Sequence, residues 1–183
     1  MATLHLPAIA YGLRYDYGIF KQLIRNGAQI EEPDHWLDQG YVWEIARPEY
    51  ACEVSFEGRV EVASINGTVH WRWVGAHTVK GVPYDVPVVG YGAESVNTLR
   101  LWQAQATDAV DFDDFNRGSY VEAVERKVLA ENLTKVLYPN DNVLQGKELR
   151  LRQQYFFVSC SIQDILRRFR ADGLPFTRLP ERV

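Results

Sequence analysis

A mixed α/β chain is expected from the spacing of its apolar residues. Between residues 52 and 73 they recur with period two, the mark of half-buried strands. From 121 to 169 they recur with helical spacing. Asn66-Gly67, set between two alternating runs, supplies a hairpin turn. Strands therefore fill the first two-thirds of a 183-residue chain and helices the last third, enough for one core.

The run 8–13 is apolar, bounded by Pro7 and Arg14, and too short for a helix; it reads as a buried strand. Residues 16–48 are rich in Gly and Trp with little periodicity, and so long an irregular stretch is expected to be functional or packed against something. Cys52, Val54 and Phe56 then alternate with polar residues, Glu57-Gly58 turns the chain, and Val60 and Val62 continue the alternation. Beyond Asn66-Gly67, where both turn positions need positive φ, Val69, Trp71 and Trp73 alternate against His70 and Arg72. Pro83 and Pro87 are expected to end regular pairing, since each removes a ladder donor, before a further strand over 99–104.

Ser119 and Glu122 form a capping box, followed at helical spacing by Val121, Val124, Val128, Leu133 and Val136. Pro139 drives Tyr138 out of helical geometry and is expected to end that helix. A second helix over 146–170 carries Leu149, Leu151, Phe156, Val158, Ile162, Ile165 and Phe169 on more than one face, which predicts burial between neighbours. Gly173 and Pro175 close it. With no repeat and no low-complexity linker, a single domain is expected over 1–183.

A net charge of −4 argues against nucleic acid, whose binders present a basic face. Residues 1–7 lack a basic start, so no signal peptide is expected, and no run approaches the roughly 20 apolar residues that span a bilayer. The 2 cysteines, Cys52 and Cys160, each lie in an apolar run and are expected as buried free thiols of a reducing cytosol. His5, His35, His70 and His77 are scattered without partners at metal spacing, so no metal is expected. Asp113-Asp114 reads as a solvated turn. Five Trp and ten Tyr suit a sugar-handling protein, though core packing is their commoner role.

The most informative string is Tyr138-Pro139-Asn140-Asp141-Asn142, followed by Gly146-Lys147-Glu148-Leu149-Arg150-Leu151-Arg152. Asn and Asp favour such loops because they hydrogen-bond local backbone, and their amides and carboxylates also read sugar hydroxyls. The string resembles the loop of the glycogen, starch and maltodextrin phosphorylases. Arg14-Tyr15-Asp16-Tyr17-Gly18-Ile19-Phe20, Pro83-Tyr84-Asp85-Val86-Pro87-Val88-Val89-Gly90-Tyr91, Asn97-Thr98-Leu99-Arg100-Leu101-Trp102 and Leu129-Ala130-Glu131-Asn132-Leu133 are similar to further words of that family, in the same order.

The resemblance implies part of a Rossmann-like N-terminal lobe of a GT-B type glycosyltransferase, with an inserted β-hairpin section and two long C-terminal helices. A family member is several times longer, so the chain is expected to be an internal fragment, 1–183 forming one partial domain. The glycine-rich phosphate loop, the second lobe and the lysine that holds pyridoxal 5′-phosphate are expected outside it. By the same resemblance Asn142 meets a hydroxyl of the glucosyl unit, Asp141 lies near the phosphates as the loop gates, and Asn140 belongs to that gate loop. Val143 replaces a Phe of the regulated animal enzymes, which argues against their aromatic inhibitor site. Arg167, Arg168, Arg59 and Arg100 match arginines around an effector phosphate; ion pairing is the competing role. The implied reaction is release of α-D-glucose 1-phosphate from an α-1,4-glucan by inorganic phosphate, in a cytoplasmic, homodimeric, allosteric parent. The isolated chain is expected to be inactive, and a non-catalytic glucan-binding or assembly remnant is the alternative.

Overall fold

Why do these strands and helices form one body? The computed structural model describes residues 1–107, 116–137 and 139–181. The strands are β1 (Ile9–Leu13), β2 (Lys21–Arg25), β3 (Ala28–Glu32), β4 (Ile45–Ala46), β5 (Cys52–Phe56), β6 (Arg59–Ile65), β7 (Thr68–Val74), β8 (His77–Val89) and β9 (Val96–Ala106). They precede helices α1 (Tyr120–Asn132) and α2 (Leu144–Ala171). The main sheet runs β1-β9-β8-β4, with β5 also on β8, while β2–β3 and β6–β7 form separate hairpins. β1 lies parallel to β9, from Ile9 opposite Thr98 to Leu13 opposite Trp102, and the other pairs are antiparallel.

Period two sends Val54, Phe56, Val79, Trp102 and Ala104 to one face of this sheet, where Ala130 and Leu133 at the end of α1 and Phe156 and Cys160 of α2 cover them. Trp102, Phe156 and Cys160 are fully buried. That layer of helix on sheet is the core.

Asn66-Gly67 makes its turn with φ of 52° and 77°, and Glu57-Gly58 turns at 61° and 80°. The stretch 16–48 is more regular than its composition predicts. Asn26-Gly27, with φ of 52° and 78°, closes the β2–β3 hairpin, and Leu23 faces Ile30 across it. Downstream, Arg14 donates two hydrogen bonds to Glu44, 2.9 and 2.6 Å, tying the far end of this stretch to the end of β1.

Several expectations are corrected. β8 runs straight through Pro83 and Pro87, paired to Trp102 and Thr98 of β9. The Pro83 carbonyl accepts from the Arg47 amide at 2.9 Å, so the polar edge of that residue points away from β9. The missing N–H therefore falls between the stretches paired by β5 and β4. Pro87, four residues on, has the same parity and lies past the end of β4. β1 is half-buried, with Ala10 exposed, because it is an edge strand.

α1 ends at Asn132, well before Pro139, and Val121, Val124 and Val128 face outward while Ala130 and Leu133 turn to the sheet. Ser119 is the N-cap residue but makes no side-chain capping bond. The Glu122 side chain, Tyr138 and residues 113–114 fall outside what is described. α2 buries Phe156 and Phe169 on one side and leaves Leu151, Val158 and Ile162 exposed, so it is covered on one face only. It closes where expected, with Gly173 at φ 68°. Of the tryptophans, Trp102 is core, whereas Trp43, Trp71 and Trp73 are exposed. No described helix is long and apolar enough to cross a membrane.

Candidate functional site

The loop 139–142 is held by what precedes and follows it. Thr134, buried just after α1, accepts the Ala104 amide on its hydroxyl at 3.2 Å, and its carbonyl accepts the Asp16 amide at 2.9 Å. Gln153 of α2, itself buried, donates to the Val136 carbonyl at 2.9 Å. The approach to the loop is thus pinned to β9, to the segment after β1 and to α2.

Within the loop, the Asn142 amide donates to Asn140 Oδ1 at 2.9 Å, a side-chain turn that gives Asn140 its local role. α2 then begins with Val143 as its N-cap and no side-chain capping bond. Gly146, in the first turn, is the residue that lets the loop fold back: a Cβ there would stand 1.7 Å from the Asn140 carbonyl oxygen. Arg150, one turn on, donates to Asp141 Oδ2 at 3.2 Å. Asn140, Asp141 and Asn142 are all exposed, their groups open to a ligand.

Arg150 also lines a cleft of about 350 Å³ walled by Gly12, Leu13, Tyr15, Leu137 and Phe157. The loop's acid is therefore coupled by one guanidinium to a concave, mostly apolar surface at the end of β1. Such a cleft with a few polar groups at its rim is the usual form of a small-ligand site. The sequence string that contains Gly146, Arg150 and Gln153 assigned none of them a role. A glycine in the first turn after three short polar residues, where helices disfavour it, was the available signal.

The arginines expected around a phosphate divide into groups. Arg100 of β9, 5% exposed, grips Asp85 with Nε and Nη2, both at 2.8 Å, and gives Nη1 to Asp164 of α2 at 2.8 Å. Arg167 donates to the same Asp164 oxygen at 2.6 Å, and the Tyr11 hydroxyl to the other at 2.8 Å. The Tyr50 ring lies under Arg47, Arg100 and Arg167 at 5.4, 5.2 and 4.2 Å. Burial alone would raise the Asp164 carboxyl; hydrogen bonds from Arg167 and Tyr11 and the charge of Arg100 offset it and hold the group below its ordinary value. Burial and Asp164 push the Tyr11 hydroxyl up, with Arg168 pulling the other way.

Arg100 and Arg167 thus come together, and Arg168 stands beside them at Tyr11. Arg59 does not join them: it lies on the β6–β7 hairpin, paired to Glu61 at 2.6 Å. Within the cluster Arg47, Arg100 and Arg167 are matched by Glu49, Asp85 and Asp164 before any anion arrives, with Arg168 the further cation beside them. Among the described residues no three or more His, Cys, Asp or Glu gather as a metal site.

A family model described as carbohydrate phosphorylase matches residues 1–183. The chain is 54% identical to a glycogen phosphorylase of Synechocystis sp. over 91% of its own length and 20% of that protein. It is 50% identical to a glycogen phosphorylase of Chlamydia trachomatis serovar D, over 100% of this chain and 23% of the relative. It is 51% identical to the liver form of glycogen phosphorylase of Homo sapiens, over 97% and 20%. The chain spans about a fifth of the length of these curated relatives.

Proposed function

The chain belongs to the carbohydrate phosphorylase family, and from that premise we propose that it forms the gate-loop segment of an α-glucan phosphorylase. The parent reaction is release of α-D-glucose 1-phosphate from an α-1,4-glucan by inorganic phosphate. The observation that carries this reading is the loop 140–142, folded over Gly146, braced by Arg150 and open beside the cleft at the end of β1. In it the Asn142 side chain hydrogen-bonds a glucosyl hydroxyl, and Asp141 lies near the phosphates. The Asp141–Arg150 pair is exposed and single, so it opens easily and frees the loop to swing. Closure excludes water, which would otherwise compete with phosphate for the glycosyl group.

Pyridoxal 5′-phosphate is the cofactor proposed for the parent, and the residues here do not fit it. A Schiff-base lysine is activated by desolvation, yet none of Lys21, Lys80, Lys127, Lys135 and Lys147 is buried. The rest of the parent must hold it. The sheet and its covering helices are one partial Rossmann-like N-terminal lobe of a GT-B enzyme, cytoplasmic and homodimeric. The charge balance around Asp164 favours ion pairing over effector binding for Arg100 and Arg167, while Arg168 keeps the exposure that a nucleotide phosphate would need.

The alternative, a non-catalytic remnant that binds glucan or joins an assembly, is favoured by the outward Val121, Val128, Leu151 and Val158, which wait for cover. Sequencing the reading frame on both sides separates the two. In-frame codons for a glycine-rich loop upstream and a pyridoxal lysine downstream are expected, and flanking stop codons would leave only the remnant. On the purified chain with glucan and phosphate no glucose 1-phosphate is expected, and its release would sink that reading.

A further inference from the structure

Cys52 and Cys160 are 108 positions apart in sequence but adjacent in the fold. Cys52 sits on β5 opposite Gly81 of β8, and Cys160 comes down from α2 onto the same glycine. A Cβ at Gly81 would stand 2.5 Å from the Cys160 sulfur and 3.4 Å from the Cys52 sulfur. Both sulfurs border the space left by the missing side chain. The seam between β5 and α2 is fixed on both sides of them. Arg152 pairs with Glu57 at one end, and Gln163 donates to the Glu53 carbonyl at 2.9 Å at the other. Both cysteines are free, Cys52 half-buried and Cys160 at 0% exposure.

We propose that Cys52 and Cys160 form a thiol pair that closes to a disulfide under oxidation by a small-molecule disulfide, stapling β5 to α2. The half-buried Cys52 is the entry point. Its sulfur displaces one half of the oxidant, leaving a mixed disulfide on Cys52 and releasing one small thiol. Cys160 then attacks the Cys52 sulfur, the Cys52–Cys160 bond forms, and the second small thiol leaves. The two protein thiols give up two hydrogens and two electrons, which depart on the two small thiols. The order follows from access and from acidity. The neighbouring Cys160 draws the Cys52 thiol below its ordinary value, while the neighbouring Cys52 and burial push Cys160 up. The staple fastens the middle of α2, the helix whose first turn carries the loop 140–142.

The experiment is to treat the full chain with excess oxidised glutathione and record its intact mass, its thiol count after unfolding and its non-reducing peptide map. The expected result is a mass lower by two hydrogens, loss of both titratable thiols and a peptide linking Cys52 to Cys160, all reversed by reductant. Cys160→Ala should instead trap one glutathione on Cys52, and Cys52→Ser should leave Cys160 unmodified. A stable glutathione adduct on the unsubstituted chain, or two thiols still free, would overturn the proposal. So would a Cys160→Ala chain that takes up no glutathione.

Discussion

Arg100 and Asp164 meet at 2.8 Å where α2 crosses the sheet, with 6% and 1% of their side chains exposed. Neither is tolerable there alone. The pair works because every polar atom has somewhere to go: Asp85 takes the rest of the Arg100 fork, and Arg167 and Tyr11 complete Asp164. A buried ion pair adds little over an apolar filling, but removing one partner strands the other.

Asp164→Ala is therefore expected to destabilise the fold by about 3 kcal/mol, because it leaves Arg100 partly unpaired in the core. Arg59→Ala should move stability by no more than about 0.5 kcal/mol, since Arg59 pairs with Glu61 in solvent. Urea unfolding followed by fluorescence compares them, and equal effects would contradict the burial argument.

The pH dependence has two limbs of opposite cause. The folded Asp164 carboxyl is lowered, so its contribution is present above the unfolded value near 3.8 and is lost as pH falls through the folded one. The folded Tyr11 hydroxyl is raised above 10.0, so its contribution is present below that pH and is lost as pH rises through the folded value. Asp164→Asn should flatten the acid limb and Tyr11→Phe the alkaline one, read as unfolding midpoints across pH.

Gly146→Ala sets two effects against each other. Helix propensity favours alanine by about 1 kcal/mol, while overlap with the Asn140 carbonyl, 1.7 Å from the new Cβ, costs about 1–3 kcal/mol. The overlap should win, with destabilisation and displaced amide resonances for 140–142. A more stable variant with an unmoved loop would mean that the loop does not rest on the helix.

Asn26→Ala and Asn66→Ala each put a Cβ-restricted residue at φ 52°, which costs about 1 kcal/mol. Hydrogen exchange should speed up within β2–β3 for the first and within β6–β7 for the second, by about fivefold, and leave β9 unchanged.

Local chemistry was legible in the sequence where it acts alone. Asn66-Gly67, Glu57-Gly58 and the Gly173 stop appear where their dihedral needs put them. Asn26-Gly27 carries the same signal, yet its flanks offer one apolar pair, Leu23 with Ile30, so the period was too faint to read. What sequence could not supply was which edge of a strand or face of a helix meets a neighbour. Pro83 and Pro87 are harmless because of parity against β4 and β5. Val121 and Val128 obey helical spacing but turn away from the sheet. The candidate loop was legible as a string of short polar residues; its braces were not, because Arg150 looks like any surface cation until Asp141 is found beside it.

The parallel pairing of β1 with β9 sets an order of events. The two Asn-Gly hairpins and the long β8–β9 antiparallel pair close small or moderate loops, whereas Ile9 must find Thr98 across most of the strand-bearing chain. Closing so large a loop costs entropy before any contact rewards it, so β1 should dock late. During synthesis its apolar residues emerge well before their partner β9 and wait for it, a window in which a chaperone has reason to hold them. Pulse-labelled refolding should find amides of β2–β3 and β6–β7 protected before those of β1, and simultaneous protection would mean that the sheet condenses as one unit.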